Sequence, residues 1–222
     1  MQLNWLARYR PIVEQLMQVP GPVLEVGSGS TGVGLLVDRP FVGCDVTFER
    51  RPVPQMSATI GSATNLPFAD RGFSVVVASD LLEHLPCEVR ATAIDELIRV
   101  SRRLVIIGVP CGRASEDADR RLRQWQSFWH KPVPNWLKEH QALSLPACGS
   151  IELILAERVD VEYSFLPNEN VWMHLIFLII DMSWLVKGIR LLWRWAPAAL
   201  NWVADAAGWG VPYRRIFVVE RQ

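Results

Sequence analysis

At 222 residues, half of them apolar, the chain has the length of one domain and the side chains for a sizeable core. Lys plus Arg and Asp plus Glu both number 23, so no basic excess stands ready to neutralise phosphates, which argues against a general nucleic-acid binder. The four cysteines, Cys44, Cys87, Cys111 and Cys148, show neither a C-x-x-C nor a metal-like His/Cys spacing. They read as free buried thiols in a reducing cytoplasm, and no metal is expected.

The opening MQLNWLARYR starts an amphipathic helix and lacks the apolar core of a signal peptide. Trp5, Leu6, Tyr9, Ile12, Val13 and Leu16 carry the helical spacing over residues 4–18, before Pro20. PVLEVG then predicts a strand, and TGVGLLVD a helix entered through glycine. RPFVGCDV and SATIGSA predict a second and a third strand. FSVVVASD predicts a fourth, whose unbroken β-branched run suits a strand covered on both faces. Residues 88–101 predict an amphipathic helix, followed by a fifth strand in RRLVIIGVP. Such alternation builds a parallel sheet wrapped by helices, with ligands at the carboxyl ends of its strands.

Past Pro110 the pattern turns helical. SEDADRRLRQWQSFW predicts a polar helix with Ser115 as its N-cap, NWLKEHQALSLP a short helix, and residues 150–157 a core helix before the strand VDVEYSF. An apolar helical region over 168–207 and a last strand, YRRIFVVE, complete a single domain over 1–222, with helical caps at 113–145 and 168–210. Residues 171–186, VWMHLIFLIIDMSWLV, are densely apolar but shorter than the roughly 18–20 residues of a membrane span, and His174 and Asp181 interrupt them. A buried cap helix is expected there.

The stretch VLEVGSGSTGVG, residues 23–34, carries the first chemical signal. Gly27, Gly29 and Gly32 satisfy G-x-G-x-x-G, and Asp45 follows at the distance of a dinucleotide fingerprint, which alone would suggest an NAD-dependent oxidoreductase. Glu25 opposes that reading. A carboxylate at a strand end beside a glycine turn is costly unless a charged or hydrogen-bonding group meets it. A ligand ammonium would do so, with the glycines letting the backbone approach an amino-acid tail and a ribose rather than a pyrophosphate.

VLEVGSGSTG, GCDV, GSATNLPF, SDLLEHL, and IDELIRVSR with RLVIIGVP follow one another in an order that resembles the class I S-adenosylmethionine-dependent methyltransferases. The likeness is nearest to the type 11 subgroup that includes ubiquinone/menaquinone- and biotin-pathway enzymes, and it covers roughly residues 20–112. It implies a Rossmann-like α/β fold: a seven-stranded, mostly parallel sheet with an antiparallel last strand, helices on both faces and a helical insertion before that strand. It also implies S-adenosyl-L-methionine as cofactor and S-adenosyl-L-homocysteine as product. Carried over by position, Glu25, Gly27 and Gly29 would line the methionine and ribose, and Asp45 would accept the ribose hydroxyls. Ala63 and Leu66 would flank the adenine, while Ser79 and Asp80 would border the transferable methyl. Ser62 stands where similar proteins usually have an acidic residue reaching the adenine amino group, and Thr31 where a third close glycine often sits. A protein that binds the cofactor without catalysis is the remaining alternative.

Methyl transfer needs a base only when the acceptor holds a proton that must leave. His84, His140 and His174 are the candidate catalytic residues, with Glu139 and Asp181 beside them. At helical spacing Asn170, His174, Asp181 and Gly188 form one stripe, opposite Ser183, Lys187, Arg190 and Arg194. That stripe either forms a satisfied buried His-Asp network within the cap or roofs the cleft and holds a polar part of a small-molecule, glycan or lipid-linked acceptor. Trp172, Trp184, Trp193, Trp195, Trp202 and Trp209 share the region with the basic residues, a composition that suits peripheral contact with the inner membrane face through 171–209. A cap packed on its own domain explains the same composition, and the oligomeric state is left open.

Overall fold

The computed structural model describes residues 3–181 and 210–222. Seven strands form its sheet: β1 (Val23–Val26), β2 (Phe41–Asp45), β3 (Met56–Ile60), β4 (Phe73–Ser79), β5 (Ser101–Pro110), β6 (Val161–Asn170) and β7 (Pro212–Arg221). They lie in the order β3-β2-β1-β4-β5-β7-β6. The first five pair in parallel, whereas β7 runs antiparallel to both β5 and β6. Strand order reverses between β1 and β4, which opens a crevice at their carboxyl ends.

The apolar runs explain this order. Every residue of β1 and β4 is buried, as expected of central strands covered on both faces. Successive side chains alternate between two cores. Val76 and Ala78 join Ile94 and Leu97 of α2 (Cys87–Val100) and Ile151 and Leu155 of α5 (Cys148–Ala156). Val75 and Val77 join Tyr9, Ile12 and Leu16 of α1 (Leu3–Met17) on the opposite face. A separate cluster binds the insertion: Ala118 and Leu122 of α3 (Arg113–Phe128), Leu137 of α4 (Asn135–Leu143), Val171 and Leu175 of α6 (Val171–Asp181), and Tyr213 of β7.

The structure corrects four sequence expectations. TGVGLLVD forms only a 3₁₀ turn, Gly32–Leu35, because Gly32 takes a left-handed φ of +46° and Pro40 lies just beyond. Ser115 is no helix cap. The N-cap position of the helix Arg113–Phe128 is Gly112, and the Ser115 hydroxyl is buried within reach of the carbonyls of Cys111 and Tyr213. Cys111 and Cys148 are disulfide-bonded, 37 residues apart, because the chain returns from α3 and α4 to start α5 beside the end of β5. Such a bond is the habit of an oxidising compartment, so the thiol argument for a reducing cytoplasm lapses. Of the two free cysteines Cys44 is buried, but Cys87 is exposed.

No described helix is long and apolar enough to cross a membrane. Of the six insertion tryptophans only Trp172 falls among the described residues; it is 64% exposed, with the Arg121 guanidinium 4.9 Å from its ring centre. Ser183, Lys187, Gly188, Arg190, Arg194 and the other five tryptophans lie outside the described residues.

Candidate active site

The glycine turn after β1 is built around Glu25. Its side chain is fully buried, with Oε1 accepting from the Tyr9 hydroxyl at 2.8 Å and Oε2 from the Val33 amide at 2.7 Å. Burial pushes this carboxyl up to about 7, although both hydrogen bonds pull it down. The carboxylate therefore sits beneath the turn, outside the cavity lining, and Tyr9 and Val33 supply the partners that the sequence argument sought in a ligand. Above it the backbone lies bare. Gly29 has φ +51°, and a Cβ there would meet nothing within 4 Å.

Asp45, at the end of β2, accepts from the Gly29 amide through Oδ2 at 2.8 Å. It lines a cavity of about 360 Å³ with Gly29, Ser30, Thr31, Thr47 and Arg50. Ser62 is exposed and bonded to the Thr64 hydroxyl at 2.8 Å, whereas Ala63 and Leu66 are packed in the core. None of these three lines a described cavity.

At the end of β4, Ser79 is buried, and its Oγ has no hydrogen-bond partner among the described residues. Asp80 adopts a left-handed φ of +51°, held there by two guanidinium groups. Arg214 bonds it from Nε at 2.6 Å and Nη2 at 2.9 Å, and Arg8 from Nη1 at 2.6 Å. Despite burial, these cations hold the Asp80 carboxyl well below the usual carboxylate range. Arg214 also pairs with buried Glu169 at 2.8 Å, and Glu169 Oε2 lies 3.0 Å from His174 Nδ1. The Asn4 side-chain amide nitrogen also lies 3.0 Å from Nδ1; with the Nδ1–H given to the charged carboxylate, the stronger partner, the lone pair sits on Nε2. His174 Nε2 is buried without a partner, on a ring stacked 3.4 Å from that of Tyr213. Asn170 caps α6 through Oδ1, which accepts from the Met173 amide at 2.9 Å.

His84 follows Glu83 in a 3₁₀ turn, Leu82–His84. Its Nδ1 lies 2.7 Å from Glu139, and burial together with the neighbouring His140 lowers its basicity. His140 is buried, with Nδ1 2.7 Å from Asp119, which also accepts from the Tyr213 hydroxyl at 2.8 Å. Glu83 is fully buried, and neither carboxyl oxygen has a partner. Desolvation and the nearby Asp80 push its carboxyl well above the usual range.

These groups converge on one cavity of about 520 Å³ at the carboxyl ends of β1 and β4. Gly27, Gly29, Ser79, Asp80, His84, His140 and His174 all line it; Glu25, Asp45, Ser62, Ala63 and Leu66 do not. Sequence reasoning missed Trp5, Arg8 and Tyr9 of α1, Trp136 of α4, and Tyr213 and Arg214 of β7 as wall residues, and it overlooked Glu83 beside the chosen His84. The run of polar residues opening YRRIFVVE, on a strand otherwise buried, was the available signal for Arg214.

The comparisons agree with this geometry. Residues 24–106 match the family model described as a methyltransferase domain. Over those residues the chain is similar to methyltransferase domains. No curated protein sequence matches it. Among solved structures it resembles the PH0226 protein from Pyrococcus horikoshii OT3, with 13% identity, TM-score 0.56, and coverage of 98% of this chain and 89% of that one. It also resembles magnesium protoporphyrin IX methyltransferase from Synechocystis PCC 6803 with bound S-adenosylhomocysteine, at 11% identity, TM-score 0.54 and coverage of 99% and 82%. A phosphoethanolamine N-methyltransferase of Haemonchus contortus matches at 13% identity and TM-score 0.55, covering 96% of this chain and 53% of that one. At such identities these likenesses show the fold.

Proposed function

We propose that the protein methylates a small-molecule, glycan or lipid-linked acceptor inside the cavity of about 520 Å³, by in-line transfer from S-adenosyl-L-methionine. The observation that carries this reading is one cavity wall that runs from the bare backbone at Gly29 to two unpartnered buried groups, Ser79 Oγ and His174 Nε2. When bound, the cofactor supplies a methyl group activated by positive sulfur, and the chain aligns it and excludes water. Gly27 and Gly29 let the backbone approach the methionine end and ribose, with Asp45 accepting from the ribose hydroxyls. Glu25 acts from below, by fixing the turn. Asp80 is saturated by Arg8 and Arg214, so it shapes the wall between methyl and acceptor rather than taking a proton. His174 lines the cavity, and its unpartnered Nε2 receives the acceptor's proton.

The insertion supports an acceptor site distinct from the cofactor site, because Trp136, His140 and His174 face the cavity from elements added to the core. Peripheral membrane contact rests on composition, with exposed Trp172 as its one described representative. Calorimetry with S-adenosylhomocysteine against NAD tests the cofactor half. Binding of the first and none of the second is expected, and the reverse would overturn the reading.

A further inference from the structure

Buried carboxyl groups in proteins are ordinarily hydrogen-bonded, because leaving one bare costs several kcal/mol. Glu83 is fully buried at the cavity wall, and both its oxygens lack a partner. One ligand atom each from Glu83, His84 and His140 lie within 4.8 Å of one another. The two imidazole rings lie with centroids 5.2 Å apart, tilted by 49°. We infer that these three residues bind one divalent transition-metal ion in the acceptor half of the cavity.

The histidines are already oriented for that task. His84 Nδ1 lies 2.7 Å from Glu139, and His140 Nδ1 lies 2.7 Å from Asp119. A carboxylate only accepts, so each Nδ1 carries the hydrogen and each lone pair sits on Nε2. Carboxylates behind histidine ligands fix the tautomer and strengthen the donor in metal sites generally. Asp119 is itself pinned by the Tyr213 hydroxyl at 2.8 Å, so the His140 ring is fixed by a chain of two hydrogen bonds. Neither Nε2 makes a hydrogen bond among the described residues. Asp80, the other carboxylate at this wall, is neutralised by two arginines and is not a donor.

Two imidazoles and one carboxylate suit zinc, manganese, iron(II) or cobalt, and they do not suit calcium or magnesium, which prefer all-oxygen sets. Three protein ligands also leave a coordination position open toward the cavity. If the methyl-transfer reading above holds, that position seats an oxygen of the acceptor and lowers the pKa of its hydroxyl. The acceptor class is then an alcohol or phenol rather than an amine. The site escaped the sequence because its donors lie 56 residues apart, on the turn after β4 and on α4.

The test uses cobalt(II) alone. Purified protein stripped with chelator is titrated with cobalt and followed by visible absorption, and zinc uptake is counted after equilibrium dialysis. One ion per chain is expected, and Glu83→Gln or His140→Ala should weaken binding at least tenfold. Glu139→Gln, at an exposed position that leaves folding intact, should weaken it roughly 10–100-fold. No uptake at millimolar cobalt, or uptake unchanged in all three variants, would overturn the inference. Calorimetry with S-adenosylhomocysteine on the same stripped protein is read separately, so a chain that binds the nucleoside and no metal sinks this site alone.

Discussion

Gly32 and Glu25 occupy each other's space: a Cβ on Gly32 would lie 2.0 Å from Glu25 Oε2. The glycine is there for a buried carboxylate of its own chain. Gly32→Ala adds a left-handed backbone penalty of about 1–3 kcal/mol to that collision. Urea unfolding should show a loss of at least this size, and S-adenosylhomocysteine affinity should fall with it as the turn is displaced.

Glu25 also gives the protein a pH dependence of known sign. Burial raises its carboxyl from the usual carboxylate range to about 7 in the folded state. The folded chain therefore binds the proton more tightly than the unfolded chain, and this contribution to stability is complete below about pH 4.5. It is lost as pH rises through about 7. Subtracting the melting curve of Glu25→Gln from that of the natural protein between pH 5 and 8 should isolate a decline on the order of 1–3 kcal/mol. A flat difference would mean that the carboxyl titrates alike in both states.

His174 carries two roles that substitutions can separate. Its ring stacks on Tyr213, and it lines the cavity with a buried, unpartnered Nε2. His174→Phe keeps a ring on Tyr213, whereas His174→Ala removes both features. Both should lower turnover by roughly a hundredfold, the ordinary scale of a lost general base, while S-adenosylhomocysteine affinity is retained. Stability should fall mainly in the alanine variant. Normal turnover in the phenylalanine variant would remove the base role.

The Cys111–Cys148 bond closes a loop over a separation of 37 residues, worth about 4 kcal/mol through the unfolded chain. Thiol titration of the denatured, unreduced protein should count two free groups, from Cys44 and Cys87, and four after reduction. Reduction should lower the unfolding midpoint, with the loss felt first where α3 and α4 join the sheet.

Much of this architecture was legible before the coordinates. FSVVVAS and RLVIIGVP are runs that only a doubly covered strand tolerates, and their order with the glycine turn and Asp45 pointed to the family. The strand-end motifs bring Gly27, Gly29, Ser79 and Asp80 to the cavity wall, whereas Glu25, Asp45, Ser62, Ala63 and Leu66 do not line it. The contacts that join distant positions were not legible: Tyr9 to Glu25, His84 to Glu139, Asp119 to Tyr213 and Asp80 to Arg214. Periodicity reports which face of an element is apolar, but not which polar group waits on the opposite wall. The same limit explains the failed helix at TGVGLLVD, where a tertiary neighbour, Glu25, demanded a left-handed glycine at the start.

Asp80 is gripped from both directions of the chain, by Arg8 near the beginning and by Arg214 near the finish. The matched segment 24–106 contains neither arginine. A ribosome releasing this polypeptide would thus hold a recognisable core well before a competent pocket, because the carboxylate at its heart stays half-neutralised until β7 arrives. Grafting the matched middle into another scaffold would carry the glycine turn across and leave both arginine partners of Asp80 behind.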